Sequence, residues 1–276
     1  MKQSKDHKFI PITSSNSNSG REITEDVFYY TNQIVNIVMI GQAGKEGWVL
    51  VDTGMPKCAE EVLGIANARF GANPPAAILL THGHFDHVGN IVSLLEAWAN
   101  TPVFAHSLEF PYLTGIKDYP EPDTSVEGGM LAKLSVLYPH QAIDIGERLS
   151  PLPEQGEVPF LSDWRWIHTP GHSPGQVALF RERDRMLLSA DAVITVRQDA
   201  LYKVLVQKKE VNGPPRYLTT DWKAAWDSAA KLQQLKPRVL IAGHGEAMEG
   251  DALDVGLSNL VADFDKVAIP QYGRFV

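Results

Sequence analysis

The chain has 276 residues, 25 Lys plus Arg against 33 Asp plus Glu, a formal net charge of −8 and a single cysteine. That length exceeds the usual domain size, but two-sheet architectures often run this long as one unit, so a single domain over residues 1–276 with a large core is expected. The acidic balance, without a basic stretch interleaved with aromatics, speaks against nucleic acid, and no run of eighteen apolar residues offers a membrane span; lone Cys58 cannot form an intramolecular disulfide and suits a reducing compartment.

Residues 1–8 are polar and charged with no apolar segment behind them, so no secretory signal is expected and the cytoplasm is the default. Residues 14–20 form a small polar tract, read as a mobile loop within an N-terminal segment 1–25. The apolar runs 34–40, 47–52 and 77–81 predict strands, and 59–70 and 88–98 predict helices. Cys58 is placed in a helix as a half-buried small residue. A second block has strand-like runs at 164–168, 176–180, 186–190 and 238–242. It also has an amphipathic helix near 221–235, in which Asp221 is the N-cap and Trp222, Ala225, Trp226, Ala229 and Leu232 share an apolar face. Two sheets packed face to face with helices outside would bury such a set. Two irregular stretches are expected to form pocket walls: 107–141, with Tyr112, Tyr119 and Met130, and 193–219, with Arg197, Tyr202, Lys203 and Tyr217.

The chemistry concentrates in Thr81-His82-Gly83-His84-Phe85-Asp86-His87-Val88-Gly89-Asn90, directly after the apolar run 77–80. If the chain stays extended there, His82, His84 and Asp86 alternate onto one side and His87 points elsewhere. Imidazoles and a carboxylate so dense on one loop suit zinc and its neighbours, whereas a surface histidine loop without a role would not need them. Three further strand-like runs each end in one such residue: His172 in Gly171-His172-Ser173-Pro174-Gly175, Asp191 after 186–190, and His244 in Gly243-His244-Gly245. Taken singly, each is an ordinary polar strand end; beside the first cluster they read as further ligands. Asp52, closing the run 47–52, is expected to support a metal-bound histidine by accepting from its other ring N–H. A plain turn-forming role before Thr53-Gly54 is the alternative.

Gly171-His172-Ser173-Pro174-Gly175 also matches the Gly-x-Ser-x-Gly nucleophile elbow, and Asp191 and His244 follow in the Ser, Asp, His order of the α/β-hydrolases. Two features oppose that reading. The residue after the serine must supply a backbone N–H, and Pro174 has none; the elbow must also open a helix, and residues 176–180 are β-leaning.

The His-x-His-x-Asp-His pattern at 82–87, with Val51-Asp52-Thr53-Gly54, the Gly-His pair at His172, Ser189-Ala190-Asp191 and Gly243-His244-Gly245, resembles the metallo-β-lactamase superfamily over roughly residues 34–250. The resemblance implies an α/β fold, a four-layer αββα sandwich. It implies that His82, His84 and His172 hold one metal, that Asp86, His87 and His244 hold a second, and that Asp191 bridges them. Zinc is the expected pair of divalent ions, with iron or manganese as alternatives. True metallo-β-lactamases generally carry cysteine or serine where Asp191 stands, so the chain resembles more closely the glyoxalase II and lactonase branches. Glyoxalase II adds a helical glutathione-binding domain after its last histidine, and only 32 residues follow His244 here, so a glutathione thioester is not the expected substrate.

The expected activity is that of a binuclear metal-dependent hydrolase cleaving an ester, lactone or thioester of a small molecule. Two metals about 3.5–4 Å apart share a hydroxide and polarise the scissile group, so no side-chain nucleophile is required. Asp86 is the expected catalytic residue, orienting that nucleophile or shuttling its proton. Phosphodiester cleavage and a mononuclear iron dioxygenase acting on persulfides are the alternative reactions, and a binding role without catalysis is a third. The expected partner is a small-molecule substrate, with no nucleic acid and no membrane, and a homodimer is compatible with this reading.

Overall fold

The computed structural model describes residues 1–127, 134–197 and 209–276, so Met130, Tyr202 and Lys203 lie outside the described residues. The chain forms two compact units: Met1–Ile12, Asn16–Tyr119 and Pro139–Ser162 in one, and Thr13–Ser15, Pro120–Tyr138 and Asp163–Val276 in the other.

The first sheet has seven strands in chain order: β1 Ser19–Thr24, β2 Val27–Asn32, β3 Val35–Ile40, β4 Val49–Val51, β5 Ala77–Leu79, β6 Val103–Ala105 and β7 Leu149–Pro151. From β1 to β4 the pairing is antiparallel, and from β4 to β7 it is parallel. The change matters at β4 and β5. Their parallel register pairs Val51 with Leu79, so both strands end at the same edge and Asp52 and Thr81 emerge side by side. Carboxyl ends of parallel strands are where open α/β sheets present their functional loops.

Helix α1 (Ala59–Phe70) matches its sequence expectation, with Val62, Ala66 and Phe70 buried at helical spacing; Cys58 stands just before it as a buried N-cap residue rather than within it. Phe70 stacks on Trp48 at 4.3 Å, and Trp98 meets the same indole edge-on at 5.8 Å. These three aromatics sit in one apolar core with Ile37, Leu50 and Ile78.

The expected helix over 88–98 is divided, with α2 at Phe85–Val88 and α3 at Ile91–Ala97, and a further helical turn, α4, follows at Phe110–Leu113. The break has a local cause. The Asn90 amide donates to the carbonyls of Thr53 and Met55 and accepts from Cys58 N–H, which ties it to the turn that follows β4. The extended run expected through the histidines is also cut short, because His84 is the extended N-cap residue (ψ 151°) of α2 and the chain coils from Phe85 onward. In the N-terminal segment, Lys2 pairs with Asp144 across an isolated bridge, and Ser19 and Gly20 of the polar tract enter β1.

The second sheet has the order β13-β12-β11-β10-β9-β8, with β8 Glu157–Val158, β9 Leu161–His168, β10 Val177–Arg181, β11 Met186–Ala190, β12 Val239–Ala242 and β13 Met248–Glu249. Only β11 and β12 run parallel among its registered pairs, so Asp191 and Gly243 leave the sheet at one end. Helix α5 (Trp222–Gln234) begins as expected, with the Asp221 carboxylate accepting from Ala224 N–H at 2.9 Å. Its buried Trp222, Ala225, Ala229 and Leu232 belong to a core with Phe180, Leu187 and Leu240. Helix α6 (Asp251–Ala262) buries Leu253, Leu257 and Leu260. Trp226 joins this packing: its indole N–H donates to Val261 O at 2.9 Å and its ring stacks on Phe264 at 5.7 Å.

Candidate metal centre

Four of the seven predicted ligands gather in the first unit. His82, His84, Asp86 and His87 are all buried, and donor atoms of His82 and His84, of His82 and His87, and of Asp86 and His87 lie within 4.8 Å of one another. His87 does not point away. The turn of helix that starts at Phe85 brings its ring to 4.1 Å from that of His82, where an extended chain would have sent it to the other side.

Asp52 organises this cluster. It sits in the left-handed region (φ 59°), a conformation costing a non-glycine residue about 1–3 kcal/mol and therefore maintained by its surroundings. Its Oδ1 accepts from Thr81 N–H at 2.8 Å, and its Oδ2 accepts from the Thr81 hydroxyl at 2.7 Å and from His87 Nδ1 at 2.8 Å. Because the Thr81 hydroxyl donates to Asp52, its oxygen accepts from His82 Nδ1, 3.1 Å away. Both histidines thus carry their proton on Nδ1, which leaves Nε2 as the nitrogen that could bind a metal ion. The hydrogen bond expected between Asp52 and a histidine ring is present. Thr81 was not singled out from the sequence, and a hydroxyl directly before the histidine motif was the available signal.

The remaining three predicted ligands gather in the second unit, and all are buried. His172 Nε2 and His244 Nε2 both approach one oxygen of Asp191, at 3.4 and 3.3 Å. Those separations exceed the 2.7–2.9 Å of a charge-assisted hydrogen bond. Ala190, before Asp191, is likewise a left-handed non-glycine residue (φ 47°). Thr219 does for His172 what Thr81 does for His82. Its hydroxyl donates to Pro215 O at 2.8 Å and so accepts from His172 Nδ1 at 3.2 Å. The sequence placed Thr219 at the end of an irregular stretch with nothing to mark it.

The loop around His172 depends on Gly171. At φ 130° it occupies a conformation L residues avoid, and a Cβ there would lie 2.3 Å from Ala225 N on α5. After Ser173 and Pro174 the chain runs into strand β10, not a helix, so the serine-elbow geometry is absent, as expected. Thr195 backs the loop of His244, its N–H and hydroxyl both donating to His244 O at 3.0 and 3.1 Å.

The stretch 107–141 contributes two further groups. Glu109, at the end of a short 3-10 turn, is fully buried and accepts from Gly83 N–H at 2.9 Å. Tyr119 donates to the same carboxylate oxygen and lies 4.4 Å ring to ring from His84. Burial first, and the Glu109 carboxylate next, hold the Tyr119 hydroxyl well above the usual phenol range, so it remains a donor. Tyr217 is buried edge-on against Tyr138 at 5.5 Å, and Arg197 is half-buried.

The donor set of imidazole nitrogens and carboxylate oxygens, buried and supported from behind through Nδ1, fits divalent zinc, iron or manganese. A fold with two mixed sheets and helices, and strand-end loops carrying such donors, defines a metal-dependent hydrolytic class.

Residues 30–244 match the metallo-beta-lactamase superfamily, and the chain belongs to it. It is 45% identical to the probable metallo-hydrolase YflN of Bacillus subtilis over 91% of this chain and 96% of that one. It is 27% identical to an N-acyl homoserine lactonase of Bacillus thuringiensis, over 55% of this chain and 61% of that one. Among solved structures, TTHA1623 in a di-iron-bound form aligns at a TM-score of 0.55 with 27% identity, covering 83% of this chain and 94% of that one. The chain is accordingly a metal-dependent hydrolase with the metallo-β-lactamase α/β sandwich fold. Among the described residues no helix is long and apolar enough to cross a membrane.

Proposed function

We propose that the chain is a binuclear hydrolase for an ester, lactone or thioester of a small molecule. His82, His84 and His172 hold one ion, Asp86, His87 and His244 the other, and Asp191 serves both. The observation that carries this reading is the approach of His172 Nε2 and His244 Nε2 to one Asp191 oxygen, at 3.4 and 3.3 Å. The two histidines belong to different ions in this assignment, and a carboxylate between them is the shape a bridge requires. The lactonase relative supports an acyl substrate.

Bound there, two divalent ions supply Lewis acidity, lowering the pKa of water and polarising the acyl group. The chain's own residues do the rest. Asp52, Thr81 and Thr219 fix the tautomers of His87, His82 and His172. Asp86, buried in the first turn of α2, orients the attacking water and takes its proton. Zinc is the proposed ion, and the di-iron relative makes iron the competing occupant. Metal analysis of purified protein, followed by a panel of lactones, thioesters, aryl esters and phosphodiesters, tests the reading. Two zinc ions per chain with acyl cleavage supports it, and one iron per chain with oxygen uptake on persulfides overturns it.

A further inference from the structure

We propose that Glu109 and Tyr119 are positioning residues for the metal ligands His82 and His84, acting through the Gly83 backbone and the face of the His84 ring. The inference rests on reading His82 and His84 as ligands. Gly83 lies between them, and its N–H donates to two acceptors, Glu109 Oε2 at 2.9 Å and the Tyr119 oxygen at 3.0 Å. Tyr119 in turn donates to the same Glu109 oxygen, which closes a three-membered ring of hydrogen bonds. Glu109 is fully buried, so the ring excludes solvent on the carboxylate side.

The aromatic contacts complete the clamp. Tyr119 is stacked flat on Tyr112, at 3.9 Å and 9°, and meets the His84 imidazole at 4.4 Å with a 57° tilt. The phenol is thus in contact with two rings as well as with the carboxylate. The fit at Gly83 is equally close, because a Cβ there would fall 2.8 Å from the Tyr119 oxygen and 3.2 Å from Leu113. One side-chain pair thus sets the backbone between two ligands and the ring plane of one of them. Groups that orient metal ligands from behind are worth about 10- to 100-fold in metal affinity.

The test uses the full chain stripped of metal and titrated with cobalt(II), reading affinity, the visible d–d spectrum and the thermal midpoint of the metal-free protein. Tyr119→Phe keeps the ring between Tyr112 and His84 and deletes only the hydroxyl. Glu109→Ala deletes the acceptor. Glu109→Gln restores an oxygen able to accept from both Gly83 and Tyr119. The expected result is a loss of about 10- to 100-fold in cobalt affinity with an altered spectrum for Glu109→Ala and Tyr119→Phe. Most of the affinity should return in Glu109→Gln, and the metal-free midpoint of Tyr119→Phe should be unchanged. Wild-type affinity and spectrum in Tyr119→Phe overturn the proposal, even where Glu109→Ala fails to fold. His84→Ala separates the two levels: if it binds cobalt as the wild type does, the ligand assignment itself fails.

Discussion

Asp52 and His87 are joined by a 2.8 Å hydrogen bond between two buried side chains, and the same carboxylate oxygen accepts from Thr81, the partner of His82. One residue at the end of β4 therefore orients two histidines that the proposed assignment gives to different ions. Asp52→Ala removes the acceptor for His87 Nδ1, Thr81 N–H and Thr81 O–H together. Each buried donor left unmet costs about 1–3 kcal/mol. The expected outcome is a clear loss of stability in the metal-free protein, measured by urea unfolding. Metal affinity should also fall by about 10- to 100-fold, measured by calorimetric titration.

Thr219 gives a milder probe of the same principle. Thr219→Val keeps the shape and removes the oxygen that accepts from His172 Nδ1. Metal affinity is expected to fall about tenfold, at the lower end of such effects, and Thr219→Ser is expected to restore it. Nitrogen-15 spectra of the imidazoles should show His172 losing its fixed tautomer in the valine variant alone.

Asp86 is the residue to which proton transfer is assigned. Asp86→Asn should lower kcat by about 10²- to 10⁴-fold, the usual contribution of a general base. Removing metal with a chelator should abolish turnover in the wild type, and adding zinc should restore it. Wild-type turnover in Asp86→Asn would move the protein toward a binding role.

Asp123 offers a pH test away from the metal residues. Burial opposes its ionisation, but hydrogen bonds from Ser125 and from the Arg274 backbone outweigh burial and hold the carboxyl below its ordinary range. A folded-state pKa below the unfolded value stabilises the fold above the unfolded titration, and that contribution is lost as pH falls through the depressed one. The thermal midpoint should therefore drop on acidification below about pH 4, and Asp123→Asn should flatten that part of the profile. Exchange at the Arg274 amide should rise in the variant as the carboxylate that anchors the C-terminal tail is lost.

The candidate ligands were legible because each is a His or Asp where an apolar run stops, α1 because its apolar spacing agrees with its structure, and α5 because its Asp221 cap does as well. The strands β1, β2, β6 and β7 escaped the pattern reading. β1 is largely exposed, and β6 and β7 are three residues each, too short for alternation to show. Helix α6 carried readable leucine spacing that the expectations did not include.

By itself the sequence determined the donor chemistry, since residue type sets which metals can be held, and the order in which strand ends deliver it. The direction of each donor was decided only by tertiary structure. His87 swings back to His82 because the chain coils at Phe85, and the proton sits on Nδ1 of His87 and His172 because Asp52 and Thr219 arrive from strands and loops far along the chain, whereas the adjacent Thr81 does the same for His82. Local spacing carries no information about a hydrogen bond between residues 35 or 47 positions apart, and those bonds choose which ring nitrogen carries the proton.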